Sequence, residues 1–248
     1  MGASSRWGAL LLGGENLSAV TRYTAGSLNP LDGLSAAYYS TRYLMRNPNY
    51  FRPDGIWVWC GPQGSGKTIS AIQAAREIAA EYPAARVISN IDFEIGDGSL
   101  PERFERYEQL HEEDNGINGL IFVLDEIHVL WNSLESKRIP ISEMAALCQM
   151  RKSRRLILGT SQVYGRIAKP IREQLKYVIM CHNVAGVLQH NIVCDPAESV
   201  EKNGTIHPAI IAEKWWFHSP TLYKSYETLD KVERIDRSAK SLVEVYRG

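Results

Sequence analysis

Eight residues constrain this chain more than any others: Gly61-Pro62-Gln63-Gly64-Ser65-Gly66-Lys67-Thr68. They complete the pattern G-x-x-x-x-G-K-[ST], a loop whose glycines let successive backbone N–H groups turn inward onto phosphate oxygens. The loop works only between a strand and a helix, because the helix must begin with its positive dipole end facing the same anion. Both neighbours are legible. Ile56 to Cys60 is a short apolar run that reads as a buried strand, and Ser65 to Glu81 reads as a helix, with Ile72, Ala75 and Ala79 at helical spacing and Pro83 ending the run. All eight loop residues are therefore candidate nucleotide contacts, with Lys67 reaching the β and γ phosphates and Thr68 offering its hydroxyl to Mg²⁺. The bland alternative is a glycine-rich turn that binds no nucleotide.

The second nucleotide signature comes about sixty residues later. Asn118-Gly119 turns the chain into Leu120-Ile121-Phe122-Val123-Leu124-Asp125-Glu126. A strand buried on both faces must read as continuous apolar sequence, and its carboxyl end opens on the ligand crevice of a doubly wound sheet. Asp125 is thus expected in the Mg²⁺ water shell, and Glu126 is expected to polarise the attacking water. His128 reads as a packing or hydrogen-bonding residue rather than a catalytic one. Leu156 to Leu158 form another apolar strand, which closes on Gly159-Thr160-Ser161-Gln162. Gln162 can donate to phosphate or orient water; the alternative is an exposed strand-end amide. Further strands are expected at Ala85 to Ser89 and at Tyr177 to His182. Val187 to Cys194 and Ala209 to Phe217, around an Asn203-Gly204 turn, predict a β extension of the sheet. Within it, Trp215 and Trp216 read as core or interface residues rather than base-stacking platforms.

A chain of 248 residues holds one good α/β core with modest extensions. Its 28 basic and 28 acidic residues cancel, yet they are unevenly placed. Residues 92–114 carry nine acidic residues against Arg103 and Arg106 and read as a solvated helical face, the spacing matching no calcium loop. Residues 151–176 carry Arg151, Lys152, Arg154, Arg155, Arg166, Lys169, Arg172 and Lys176 against Glu173 alone. Such a local excess points to a polyanion, either a neighbour's triphosphate or nucleic acid; a solvated face, or pairing with the acidic stretch, is the alternative. The cysteines Cys60, Cys148, Cys181 and Cys194 form no C-x-x-C pair and read as reduced core residues of an intracellular protein.

No run approaches a membrane span, and Gly13-Gly14-Glu15 cuts the apolar Ala9 to Leu12 stretch too short for a signal peptide. Arg6 stands where a myristoylation motif needs Ser or Thr. The expected location is the cytoplasm. Residues 1–50 lack a catalytic motif. Their one element is a short helix over Leu34 to Met45, and the segment reads as an arm or lid on the core or on a neighbouring subunit, with a partly ordered leader as the alternative. The expected division is an arm over 1–50, an ATPase core over 51–182, a β extension over 183–228 and a charged tail over 229–248. A helix is also expected from Pro140 to about Arg151, with Met144, Leu147 and Cys148 on one face.

Taken together, GPQGSGKT, LIFVLDEIH, and RKSRRLILGTSQ followed by IREQLKYVI resemble the FtsK/HerA-like branch of the additional-strand P-loop ATPases. Within it they are most similar to viral proteins, the Zot-like assembly ATPases of filamentous phages and the small genome-packaging ATPases. Ser219-Pro220-Thr221-Leu222-Tyr223-Lys224-Ser225-Tyr226-Glu227 also resembles the segment after the core in Zot-like sequences. The resemblance covers roughly residues 50–228. It implies a RecA-like α/β fold with a mostly parallel central sheet, strand order 5-1-4-3-2, ATP and Mg²⁺ as ligands, and a homo-oligomeric ring, pentamer or hexamer, that moves nucleic acid through its centre. The implied partners are double-stranded DNA and a capsid portal or vertex protein. Filamentous-phage members carry a membrane span after the core and this sequence shows none, which favours packaging over extrusion. The resemblance also makes Gln162 a sensor of the γ phosphate. It makes an arginine just before that strand, Arg151 first and Arg154 second, the residue that completes the next subunit's site.

Three rivals come from other classes. A helicase would suit the D-E-x-H form of Asp125-Glu126-Ile127-His128 but needs two such cores. A small-molecule kinase would want a lid with its own arginines, and Glu126 suits water activation better than transfer to a hydroxyl. A nucleotide switch without turnover is the third.

Overall fold

A computed structural model describes residues 30–134, 147–202 and 205–226. Four apolar runs become parallel strands because their side chains are buried on both sheet faces: β1 (Gly55–Cys60), β2 (Arg86–Ser89), β4 (Leu120–Leu124) and β5 (Arg155–Ser161); β6 (Leu175–Val184) joins them in parallel, its residues alternating between buried and exposed. β3 (Glu102–Arg103) adds a two-residue parallel edge beside β2. The hairpin of β7 (Leu188–Lys202) and β8 (Thr205–Phe217) continues the sheet antiparallel from β6. The order is β3-β2-β4-β5-β1-β6-β7-β8. Counting only the five parallel strands in chain order and reading from β6, it is 5-1-4-3-2, as the resemblance implied.

Alternation along each strand divides the core in two. Trp57 and Trp59 of β1, Ile121 and Val123 of β4 and Leu158 of β5 face α2 (Lys67–Glu81), whose Ile72, Ala75 and Ile78 are wholly buried. The intervening Ile56, Val58, Phe122 and Leu124 face the opposite layer, with Ile127, Trp131 and Ile171. That layer comprises the short helices α4 (Ile127–Leu130), α5 (Met150–Ser153) and α6 (Lys169–Arg172). Each wholly buried large side chain contributes roughly 1.5–3 kcal/mol, so the strands are held chiefly by packing. Two further helices flank the core, α1 (Pro30–Arg46) before it and α7 (Pro220–Lys224) after it. Ser219 caps α7 by accepting from the Leu222 N–H, and Leu222 buries itself in the α2 layer.

Several expectations need correction. The acidic stretch is no helical face; it holds β3, the four-residue helix α3 (Gln109–Glu112) and irregular backbone. Gly96, Gly98 and Pro101 break it, and its buried anchors, among them Phe93, Phe104 and Leu110, lack helical spacing. Arg86 ties the stretch to the sheet edge, its guanidinium lying 2.6 Å from Glu102 and 3.0 Å from Glu113. Arg155 is buried and donates to the carbonyls of His111 and Glu113, so it faces no polyanion. The basic and acidic stretches therefore meet at this residue, through backbone carbonyls rather than carboxylates. Cys60, Cys181 and Cys194 are buried as read, but Cys148 is exposed while Leu147 and Met150 turn inward. Met144, with most of the helix expected from Pro140, lies outside the described residues, as does the 229–248 tail.

Gly119 shows how tightly the strand starts are packed. Its φ is +75°, and a Cβ there would meet the Phe51 ring at 2.2 Å. Left-handed strain costs about 1–2 kcal/mol and overpacking about 1–3 kcal/mol. Gly119→Ala is expected to lose about 2–4 kcal/mol in urea unfolding, with nucleotide affinity of the folded fraction unchanged.

Candidate nucleotide-binding and hydrolysis site

The loop between β1 and α2 sits at the carboxyl end of the parallel strands. Pro62, Gln63 and Gly64 form its exposed crown, whereas Ser65 and Lys67 are buried. Gly64 and Gly66 take φ values of +77° and +82°, which a side chain resists, and Gly66 is the residue on which α2 begins. A Cβ on Gly64 would meet nothing, whereas one on Gly66 would run into the Gln189 side chain at 2.0 Å. Gly61 is equally confined, since its Cβ would lie 2.6 Å from Ser65 Oγ. Ser65 Oγ is buried without a hydrogen-bond partner, and Lys67 Nζ folds back onto the Pro62 carbonyl at 3.0 Å. A curled backbone, an orphaned hydroxyl and an ammonium satisfied only by a carbonyl of its own loop fit a phosphate chain.

At the end of β4, Asp125 accepts at one oxygen, Oδ1, from both Thr68 Oγ1 at 2.9 Å and Thr160 Oγ1 at 2.5 Å. Asn90, just beyond β2, brackets the Asp125 backbone. Its amide donates to the Asp125 carbonyl at 3.1 Å, and its own oxygen accepts the Asp125 N–H at 2.8 Å. Burial pushes the Asp125 carboxyl above its ordinary 3.8; the hydrogen bonds from Thr160 and Thr68 oppose this, the charge of Glu126 adds to it, and Lys67 offsets it. A carboxylate and a hydroxyl within 3 Å are hard oxygen donors of the kind Mg²⁺ takes alongside phosphates and water. Among the described residues, no group of three or more His, Cys, Asp or Glu side chains is placed to hold a metal, so these two oxygens are the fit.

Glu126 has φ +55°, a left-handed conformation unusual for a residue with a side chain. Its N–H donates to Thr160 Oγ1 at 2.9 Å, which fixes the turn. The carboxylate is held at both oxygens: Gln162 Nε2 donates to Oε1 at 3.2 Å, and His128 Nδ1 lies 3.1 Å from Oε2. Gly159 permits the arrangement, because a Cβ there would strike Ile127 at 2.7 Å and push α4 away. Gln162 thus contacts the carboxylate directly, and His128 is a hydrogen-bonding residue, as read.

Arg151 and Arg154 are not in this site. They precede β5 and so lie at the amino ends of the strands, a β5 length of about 23 Å from Gln162. Arg151 is exposed, and the Arg154 guanidinium stacks 4.7 Å over the Tyr50 ring. The basic segment is not one surface. Arg155 is spent internally, Lys176 pairs with Asp54, Lys169 lies 3.9 Å from Glu173, and Arg172 lies over Tyr164, whereas Arg151, Lys152 and Arg166 are exposed.

Sequence reasoning missed three groups. Asn90 and Thr160 each end a core strand at the crevice, a signal that was present. Gln189 carried none. Wholly buried on β7, it donates to the Ser65 carbonyl at 3.0 Å and to Asn191 Oδ1 at 2.9 Å, and His218 Nε2 lies 3.2 Å from its oxygen. Asn191 in turn accepts from Ser70 in the first turns of α2. The β extension therefore backs the phosphate loop.

A family model described as "ATPase family associated with various cellular activities (AAA)" matches residues 58–182. No curated protein matches the sequence. Among solved structures, the N-terminal domain of zonular occludens toxin from Neisseria meningitidis is similar at 15% identity over 70% of this chain and 98% of that one, with a TM-score of 0.47. The genome-packaging NTPase B204 of Sulfolobus turreted icosahedral virus 2, bound to ATP-γS, is similar at 14% identity over 63% and 97%, with a TM-score of 0.45.

The raised Asp125 carboxyl has a consequence for stability. The folded protein holds this proton more tightly than the unfolded chain, so stability falls as pH rises from 3.8 through the folded value and the cost is complete above it. Asp125→Asn retains an oxygen for Thr68 and Thr160. Without nucleotide at pH 7.5 it is expected to melt a few degrees higher than the parent, about 2–4 °C for a chain of this size. That gain should vanish below about pH 4, in scans read by circular dichroism.

Proposed function

The chain belongs to the AAA family of ATPases, and from that premise we propose that it is a DNA-translocating motor of the viral genome-packaging kind, working as a homo-oligomeric ring. The observation that carries the proposal is an incompleteness. The site has a phosphate loop, a metal-binding pair and a poised carboxylate, yet among the described residues no arginine hydrogen-bonds or pairs with any of them. A guanidinium that stabilises charge on the transferring phosphoryl group is worth about 10³-fold or more. Here it would come from a second copy, from Arg151 or Arg154 at the far end of the sheet. Such a supply makes each site depend on its neighbour and so orders firing around a ring.

Within one copy, Gly61 to Thr68 hold the triphosphate and Lys67 neutralises its β and γ oxygens. Thr68 and Asp125 would hold Mg²⁺, whose charge steadies the phosphates as the terminal bond breaks. Glu126 takes the proton of the attacking water. Gln162 and His128 orient Glu126, and Gln162 senses the γ phosphate through it. Exposed Arg151, Lys152 and Arg166 are the basic groups available to a DNA backbone, which they would grip without reading sequence. A capsid portal or vertex protein is the partner such a motor would dock on. A second reading, a Zot-like assembly ATPase of filamentous phage, is favoured by the Ser219 to Glu227 stretch. Among the described residues no helix is long and apolar enough to cross a membrane.

Three measurements test this. Glu126→Gln should bind ATP within about twofold of the parent while hydrolysis falls about 10²-fold or more, since only the proton acceptor is lost; equal turnover would remove Glu126 from the chemistry. DNA should stimulate hydrolysis without sequence preference, and its affinity should drop at least about tenfold between 50 and 200 mM salt as counterion release is suppressed. Lys67→Ala and Arg151→Ala proteins should each be nearly inactive, yet recover hydrolysis when mixed, because some interfaces then join an intact loop to an intact arginine. No recovery in mixed assemblies would exclude Arg151, and Arg154→Ala would then be paired in its place.

A further inference from the structure

Among the described residues, no third layer covers the C-terminal end of the sheet. On one side of β6, β7 and β8, Ala212 and Trp216 pack with α2. On the other side, the alternate residues Met180, Val184, Ile211, Trp215 and Phe217 face solvent, Trp215 at 51% and Phe217 at 74% exposure. Trp215 stacks on His190 at 3.7 Å with the rings 9° from parallel, and His190 Nε2 lies 2.9 Å from Glu213, the acid within the face. A surface this rich in exposed large apolar side chains, with His182, His190 and Glu213 set among them, marks an interaction site. Helices α4, α5 and α6 cover the matching side of the parallel strands, but none extends over the hairpin.

At the other end of the molecule, α1 has little to pack on among the described residues. Of residues 34–46 only Leu44 is even half-buried. Leu34, Tyr38 and Met45, at 68%, 59% and 78% exposure, fall on one stripe of the helix at 100° per residue. Tyr43 points the opposite way and packs edge-on against Tyr50 of its own chain. Arg42 and Arg46 flank the stripe. A lone helix of this length is marginal in water, so it needs a surface.

We propose that α1 of one copy lies along the exposed face of β6, β7 and β8 of the next copy and covers it, in a head-to-tail interface that closes into a ring. The dimensions agree: seventeen residues make a helix of about 25 Å, and Val178 to Val184 present about 20 Å of strand. The charges agree, Arg42 and Arg46 on the helix against Glu213 on the face. The placement also serves the nucleotide site. The foot of α1 rests on Tyr50, under the Arg154 guanidinium, while a cavity of about 290 Å³ at the receiving face is lined by Gly61 and Gln162 as well as Met180. Docking the helix therefore brings the arginine end of one copy to the phosphate loop of the next. This inference rests on the ring reading and names the contact that makes the ring.

The test uses full-length protein and sedimentation velocity, with ATP binding and circular dichroism as folding controls. Wild type should assemble, and Tyr38→Glu or Trp215→Glu should each weaken assembly at least about tenfold and run as monomers. Mixed together, the two variants should form heterodimers and nothing larger, because one copy keeps an intact helix and the other an intact face. In a Cys148→Ser background, Thr41→Cys on one copy should cross-link through a short bis-maleimide to Phe217→Cys on another. If wild type assembles and both glutamate variants assemble equally well, the docking is wrong while the ring stands. A monomeric wild type, with nucleotide and DNA present, overturns both. Cross-linking within a single chain, or Trp215→Glu abolishing DNA binding while assembly is unchanged, assigns the face to another occupant and overturns the proposal.

Discussion

A buried carboxylate shared by two hydroxyls is the joint on which this molecule turns. Asp125 ends β4, takes a hydrogen bond from Thr68 on α2 and another from Thr160 on β5, and is bracketed through its backbone by Asn90 beyond β2. Four elements meet at one residue whose charge its own burial disfavours. Ionised without a counter-ion, such a group costs stability; it persists where a bound cation repays that cost. The arrangement is what a nucleotide site requires, since the hydroxyl and the carboxylate that meet here are the pair a phosphate-bound metal would address.

The same joint explains the strain next to it. Glu126 adopts a left-handed backbone because Thr160, already committed to Asp125, also accepts the Glu126 N–H. Turning the chain so sharply aims the carboxylate toward Gln162 and His128 and starts α4 against Gly159, where nothing larger than hydrogen fits. Strain of this kind costs of order 1–3 kcal/mol and survives only where surrounding contacts over-determine it. Here they do, and the strained residue is the one the hydrolysis chemistry needs.

Strand β7 has two lives. Its residues Gln189 and Asn191 point at the phosphate loop and the first turns of α2, while His190 between them points outward and stacks on Trp215. A strand alternates sides at every residue, so one backbone links the nucleotide loop to an open surface across a single sheet thickness. Gln189 and its partner His218 stand on the loop side of that sheet, His190 and Trp215 on the other.

What sequence alone determined here is what short-range rules govern. The loop from Gly61 to Thr68, the apolar β4 run with Asp125 and Glu126 after it, and the strand ending at Gln162 announce themselves, because a buried parallel strand must be continuously apolar and its ligands must stand just past its end. The hairpin was legible from alternation. The acidic stretch was misread because charge density carries no period, and Gly96, Gly98 and Pro101 had already forbidden a long helix. Only the tertiary structure decided which distant groups meet: Gln189 behind Ser65, Arg155 turned inward to the His111 and Glu113 carbonyls, and Arg151 and Arg154 at the opposite end of the sheet from their own loop. Those facts depend on strand order and direction, and a parallel sheet sends the start and the end of one strand about 23 Å apart, a separation no local pattern of residues records.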